Sequence, residues 1–367
     1  MNSDLKKYLK EADAVLVSSW GNITYLTNYS GFSKEERECF LLITRKKQYL
    51  ITDGRYSEAV KEQVSNFDVV DEGASKFIDQ NHSNILKNLR IMSLGIEENN
   101  LTVSEHRSVK KIVGKTLNID LSKLRILKQE EEVENIKKAC ALGDIAFKFI
   151  VGKLKTGVSE RQIANEIEFF IMGKGAEISF KPIVAFGKNS SVPHHASGQT
   201  KLKQNQIVLL DFGVKVNNYC SDMTRTIFFG KATDKFRRIH RTVLEAQQKA
   251  IQYINNFYSS SGVEKFSINS NNNLVASGID KVARDYIASN NYPNIPYSLG
   301  HGIGIEVHEA PHLSPNSNDV IKPGMIFSVE PGIYIEGYGG VRIEDLVLVT
   351  KKGIELISHA NREIIEV

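Results

Sequence analysis

The run Ile207-Val208-Leu209-Leu210-Asp211-Phe212-Gly213, followed by Tyr219-Cys220-Ser221-Asp222-Met223-Thr224, decides how the chain is read. An aspartate inside an apolar, strand-like run is out of place, because burying a carboxylate without a partner is costly. Asn217-Asn218 between the two runs is a turn signal. If a hairpin turns midway between Asp211 and Asp222, the two side chains face each other with Cβ atoms about 4.5 to 5.5 Å apart. Like charges that close repel unless a cation lies between them, and a metal ion is the simplest resolution. Read alone, the pair has a plainer explanation: a surface Asp222, and an Asp211 paired with an arginine such as Arg225.

Three further stretches repeat the pattern. Ser298-Leu299-Gly300-His301-Gly302-Ile303-Gly304-Ile305-Glu306-Val307-His308-Glu309 frames His301 with glycines, which let a backbone or ligand approach closely. His308 follows seven residues later, and His312 is nearby. Ile326-Phe327-Ser328-Val329-Glu330-Pro331-Gly332 ends an apolar run on one acid. In Gly340-Val341-Arg342-Ile343-Glu344-Asp345, the strand period of two puts Arg342 and Glu344 on one face. A paired edge-strand acid explains any one of these stretches, but four strands that each bury a carboxylate resist four separate explanations. Four carboxylates and one imidazole form an oxygen-rich set suited to harder divalent ions, Mn²⁺ first, with Co²⁺, Fe²⁺ or Zn²⁺ compatible. Five such ligands suit two ions, about 3.5 to 4 Å apart.

The rest of the chain sets the frame. Its 367 residues suggest two domains or one large one, with 41% hydrophobic and 25% charged residues giving ordinary globular usage. A net charge of +4 with interspersed signs argues against nucleic acid. Cys39, Cys140 and Cys220 are few, scattered and odd in number, which points to a reducing compartment. The first ten residues lack a signal-peptide stretch and no long apolar run exists, so the expectation is the cytoplasm and no membrane span. Strands are expected at Ala14–Val17, in a hairpin of Phe40–Ile43 with Tyr49–Ile51, and at Ile91–Ile96, with helices near 56–65 and 75–90. This is an α/β domain over residues 1–125. The charged stretch 128–132 marks a boundary, and residues 126–367 form a second, α+β domain. That domain opens with a long amphipathic helix from Val133 to Ile150 and a second helix capped by Ser159 and Gln162. Residues 259–273, rich in Ser and Asn, read as an exposed polar loop.

Taken in series, the motifs around Asp211 (VLLDFG), Asp222 (YCSDMTRT), His301 (GHGIGIEVHE), Glu330 (SVEPGIY) and Glu344 (VRIED) resemble those of the pita-bread metallopeptidases, in particular the Xaa-Pro aminopeptidases and prolidases. The resemblance covers nearly the whole chain. It implies a creatinase-like α/β N-terminal domain followed by a pita-bread catalytic domain. Asn22-Ile23-Thr24-Tyr25-Leu26-Thr27 and Thr52-Asp53-Gly54-Arg55-Tyr56 resemble the first of these. The five motif residues would hold two metals, with a water between them as the nucleophile and Glu330 also moving its proton. His308 and His194 would bind substrate and intermediate, with His195 the alternative in Pro193-His194-His195, and Arg342 and Tyr334 would orient the ligands. The implied activity is an exopeptidase cutting peptides with proline at the second position, an Xaa-Pro aminopeptidase first and an Xaa-Pro dipeptidase as the alternative. Methionine aminopeptidases share the ligands but usually lack the first domain. Creatinases and non-catalytic relatives lack the ligands. The resemblance also implies a homodimer.

Overall fold

Short strands with apolar side chains on both faces build the N-terminal unit, Met1–Arg125, of this computed structural model, which describes residues 3–78, 84–259, 269 and 272–367. Its strands are β1 (Ala14–Val17), β2 (Phe40–Thr44), β3 (Gln48–Thr52), β4 (Asp68–Asp71), β5 (Ser93–Ile96) and β6 (Lys115–Asn118). They form one sheet in the order β4-β3-β2-β1-β5-β6. Strands β1, β2 and β3 run antiparallel to their neighbours among themselves, and β4, β5 and β6 add in parallel. Val15, Leu41, Ile43 and Leu50 feed one core, while Ala14, Leu16, Phe40 and Leu42 feed the other. Burial on both faces is the α/β arrangement expected for this unit. The helix expected over 75–90 is instead two short ones among the described residues, Ala74–Phe77 and Asn84–Asn88.

The second unit, Ile126–Val367, is a mixed domain of helices and small antiparallel sheets, as expected for the pita-bread class. Residues read as a charged boundary start its first helix, Glu130–Val151, where Gln129 and Glu132 cap each other. Three glutamates in the first turn favour this position, because the helix dipole is positive there. The helix Glu160–Gly173 opens on the expected Ser159–Gln162 box. The helices Asp234–Ser259 and Ala276–Ser289 share a core with Phe327, Val329, Val341 and Val347. The polar stretch 259–273 lies almost wholly outside the described residues.

The strands of this unit are β7 (Glu177–Ile178), β8 (Ile183–Phe186), β9 (Gln206–Phe212), β10 (Val214–Val216), β11 (Tyr219–Cys220), β12 (Met223–Phe229), β13 (Gly300–Gly302), β14 (Glu309–Leu313), β15 (Ile326–Val329), β16 (Gly332–Ile335), β17 (Gly339–Arg342), β18 (Asp345–Thr350) and β19 (Gly353–Leu356). Two three-stranded sheets, β12-β9-β8 and β11-β10-β7, accompany a five-stranded sheet, β14-β13-β15-β18-β19, and the pair β16-β17. The hairpin that decided the reading turns one residue later than assumed. Asn217 and Asn218 take the turn at φ 47° and 71°, the left-handed pair that suits a two-residue hairpin. Thr224, not Asp222, is therefore the residue opposite Asp211. Asp222 sits two positions along, diagonally placed on the same face, where side chains still meet.

His240 of the Asp234–Ser259 helix is buried with its ring 5.7 Å from that of Phe236. Burial first, and Arg225 second, lower its pKa from the ordinary 6.5 to about 4. The unfolded chain then binds a proton between these pH values that the folded chain does not. The stability His240 contributes is thus complete above about pH 7 and lost as pH falls through this window, by about 1.4 kcal/mol per unit. His240→Leu should lose about 2 kcal/mol less than wild type between pH 7 and pH 5 in urea unfolding. Equal losses would contradict this.

Candidate metal centre

A cavity of about 450 Å³ in the C-terminal unit is lined by Asp211, Asp222, His301, Glu330 and Glu344, together with His194, His308 and Arg342. Tyr334 stands behind it, its hydroxyl accepting a hydrogen bond from Arg342 Nη1 at 2.9 Å. The elements that deliver these residues differ from the expectation of one acid per strand. Asp211 lies within β9 and His301 within β13, but Asp222, Glu330 and Glu344 fall in the short joints that follow β11, β15 and β17. Arg342 ends β17, so it and Glu344 reach one cavity without sharing a strand. The glycines around His301 have a steric cause. A Cβ at Gly300 would lie 1.9 Å from the Ser328 carbonyl oxygen, and one at Gly302 would lie 2.1 Å from that of Ala310. Only glycine lets β13 press this closely between its neighbours.

Ligand atoms of Asp222, His301 and Glu344 all lie within 4.8 Å of one another. His301 Nδ1 is 3.1 Å from the Gly302 carbonyl, which can only accept, so Nδ1 carries a hydrogen. Nε2 then faces Glu330 at 3.3 Å and Asp222 at 3.8 Å. Asp211 Oδ2 accepts from Arg342 Nη2, and Glu344 Oε2 accepts from Thr224 Oγ1 at 2.7 Å. The arginine on Asp211 is thus Arg342, whereas Arg225 pairs with Asp345. In contrast, Asp211 Oδ1, Asp222 Oδ1 and Glu344 Oε1 are buried without a hydrogen-bond partner. Bare buried carboxylate oxygens are costly and need an explanation. The three acids that keep such an oxygen line one cavity with His301, a donor set that fits a divalent cation, whose preferred donors are oxygen and imidazole.

The electrostatics agree. Burial, and then the charges of Glu344 and Asp211, push the Asp222 carboxyl well above the usual range. Burial, with Glu330 and Asp211, does the same to Glu344. Asp211 is raised less, because Arg342 opposes its burial. Burial pulls the His301 imidazole down, but Glu330 and Glu344 override it and raise its pKa to about 9. Burial also works against ionised Glu330, yet His301 and Arg342 hold that carboxyl below its ordinary value. His308 is lowered by burial and by His301, whose ring centroid is 4.4 Å away.

The two adjacent histidines are placed differently. His194 lines the cavity, while His195 Nε2 lies 2.9 Å from Oε2 of buried Glu160. Sequence reasoning missed Thr224, whose hydroxyl also accepts from Arg342 Nε at 2.8 Å. The correct hairpin register would have found it opposite Asp211. It also missed Tyr297, whose hydroxyl is 2.6 Å from that of Tyr334; no local signal sets this tyrosine apart.

Known proteins resemble this chain along nearly its whole length. Residues 134–351 match the model of metallopeptidase family M24, and residues 5–127 match that of the creatinase/prolidase N-terminal domain. The chain is 34% identical over 359 residues to the uncharacterized peptidase YqhT of Bacillus subtilis, covering 96% of this chain and 95% of the relative. Among solved structures it is similar to an Xaa-Pro dipeptidase from Bacillus anthracis (35% identity, TM-score 0.86, 99% and 98% of the two chains). It is also similar to a prolidase from Pyrococcus horikoshii (32%, 0.85, 99% and 100%) and an X-Pro aminopeptidase from Thermotoga maritima (30%, 0.84, 100% and 100%).

Thr224 joins Glu344 to Arg342 and through it to Asp211, so its hydroxyl orients two acids at once. Thr224→Val keeps the shape and deletes the link. Calorimetric titration of the full chain with Mn²⁺ should show affinity lowered by roughly 10- to 100-fold, the usual cost of losing a group that orients ligands. Unchanged affinity would contradict the assignment.

Proposed function

This chain belongs to metallopeptidase family M24, and from that premise we propose that it is an Xaa-Pro dipeptidase. In this reading Asp211, Asp222, His301, Glu330 and Glu344 hold two divalent ions, Mn²⁺ foremost. The observation that carries the metal assignment is one cavity lined by His301 and by three acids, Asp211, Asp222 and Glu344, that each keep a buried carboxylate oxygen without a hydrogen-bond partner. The dipeptidase reading replaces the aminopeptidase reading of the sequence because the Bacillus anthracis and Pyrococcus horikoshii relatives, at 35% and 32% identity, are a dipeptidase and a prolidase. The aminopeptidase reading keeps the support of the Thermotoga maritima relative.

The chemistry that divalent ions supply when bound is a water acidic enough to attack at neutral pH and Lewis-acid polarisation of the scissile carbonyl. The side chains do the rest. Glu330, held ionised by His301 and Arg342, takes a proton from the attacking water and passes it to the proline nitrogen as the bond breaks. His308, whose pKa is lowered from the ordinary histidine value by burial and by His301, donates an N–H to the carbonyl oxygen as charge develops there. His194 binds the substrate from its own loop. Arg342 is fully engaged by Asp211, Thr224 and Tyr334, so it orients ligands and does not bind substrate. Phe180, Ile183 and Val307 in the cavity wall suit a proline ring, which has no N–H to satisfy and a fixed φ.

Two assays test this. Chelation should abolish hydrolysis and Mn²⁺ or Co²⁺ should restore it; full activity in a metal-free preparation would refute the metal assignment. With metal restored, kcat/KM for an Xaa-Pro dipeptide should exceed that for Xaa-Pro-Yaa-Zaa by about tenfold or more, about 1.4 kcal/mol of discrimination at the transition state. A preference for the tetrapeptide would return the reading to an aminopeptidase.

A further inference from the structure

Lys128 is buried to the end of its side chain, 0% exposed, and its ammonium lies 3.0 Å from Oε2 of Glu309, itself 4% exposed. Ion pairs hidden this completely are unusual, because removing both charges from water costs several kcal/mol per ion. Neither residue lines the cavity or belongs to the ligand set. Their placement nevertheless bears on it. Glu309 directly follows His308 and begins β14. Its second oxygen, Oε1, accepts the backbone N–H of Glu306 at 3.1 Å. Glu306 O in turn accepts from Gly304 N at 3.0 Å, and Gly304 O accepts from Cys220 N at 2.8 Å. The Glu309 carboxylate also occupies the space beside Gly304, where a Cβ would lie 2.7 Å from Oε2. The loop between His301 and His308 is thus wound around one carboxylate.

Lys128 fixes that carboxylate from outside the loop. It stands at the start of the Glu130–Val151 helix, its own N–H bonded to the Gly324 carbonyl at 2.8 Å. Glu132 at the same helix start feels the charges of both partners. We infer that the Lys128–Glu309 pair is a positioning device for His308, holding the loop from Gly304 to His308 so that the imidazole stays against His301 in the cavity. The inference rests on the catalytic reading of His308 above.

The test is a double-mutant cycle on the metal-loaded full chain. Either single neutralisation strands a buried charge, so the pair is replaced together, Lys128→Met with Glu309→Gln, and Lys128→Arg serves as a charge-preserving second variant. Thermal transition, metal content, kcat and KM for an Xaa-Pro dipeptide are measured in the wild-type and His308→Ala backgrounds. His308→Ala alone should retain its metal and lose roughly 10²- to 10³-fold in kcat. The pair variant should lose about 10- to 100-fold in kcat, with KM and metal content little changed, the scale of a misplaced catalytic group. Lys128→Arg should show a smaller loss of the same kind. In the His308→Ala background both changes should cost no more than about twofold, the scatter of independent sites. Equal losses in both backgrounds, or wild-type kcat in the pair variant, would overturn the positioning role. Wild-type turnover in His308→Ala alone would instead overturn the catalytic reading on which it rests.

Discussion

Four carboxylates are forced into one buried cavity, and the rest of the C-terminal unit is arranged around that repulsion. Among the described residues, Asp211, Asp222, Glu330 and Glu344 form ion pairs with two partners, Arg342 and His301, so acids outnumber their paired cations. Three of the acids retain raised pKa values, and the fourth is kept ionised by the imidazole. A side chain in such a position is normally lost to a cheaper apolar residue, since charges buried this way rarely stabilise a fold. On the proposed reading, divalent cations held by these acids would offset the repulsion and make a water acidic enough to attack, so one feature would account for both the cost and the activity.

Holding the acids against each other takes a rigid frame. Asp345, next to Glu344, is fully buried and receives hydrogen bonds from Arg225 and from Gln247 at 2.9 Å. Arg225 also donates to the Glu344 and Ala360 carbonyl oxygens, and Gln247 to that of Val329, immediately before Glu330 at 3.0 Å. The backbone on either side of two acids is therefore tied to strand β12 and to the Asp234–Ser259 helix. These acids lie in joints where the strand ladder stops, so such ties replace the hydrogen bonds that a continuing strand would have supplied.

How much of this could be read from the sequence varies from one residue to the next. The acids Asp211 and Glu330 stand out because each interrupts or ends an apolar run, where a polar residue carries information that another valine would not, and His301 stands out by its flanking glycines. The Ser159–Gln162 cap was legible because its chemistry is local. The pairing of Asp211 with Arg342 was not, since residues 131 positions apart meet only through the packing of separate sheets. The register of the first hairpin failed by one residue because Asn217-Asn218 admits more than one turn, and the left-handed φ of both asparagines selected it. Lys128 reads in the sequence as part of the charged boundary stretch 128–132; its burial depends on Glu309, a partner 181 residues away that no local pattern reveals.

Counting the ions that the cavity takes up tests the account most directly. Metal-stripped full-length chain would be dialysed to equilibrium against Mn²⁺ and bound metal counted by mass spectrometry. The account expects saturation at two ions per chain, as the pair of ions in such carboxylate-rich centres requires. Saturable binding of one ion, or of none, would contradict it.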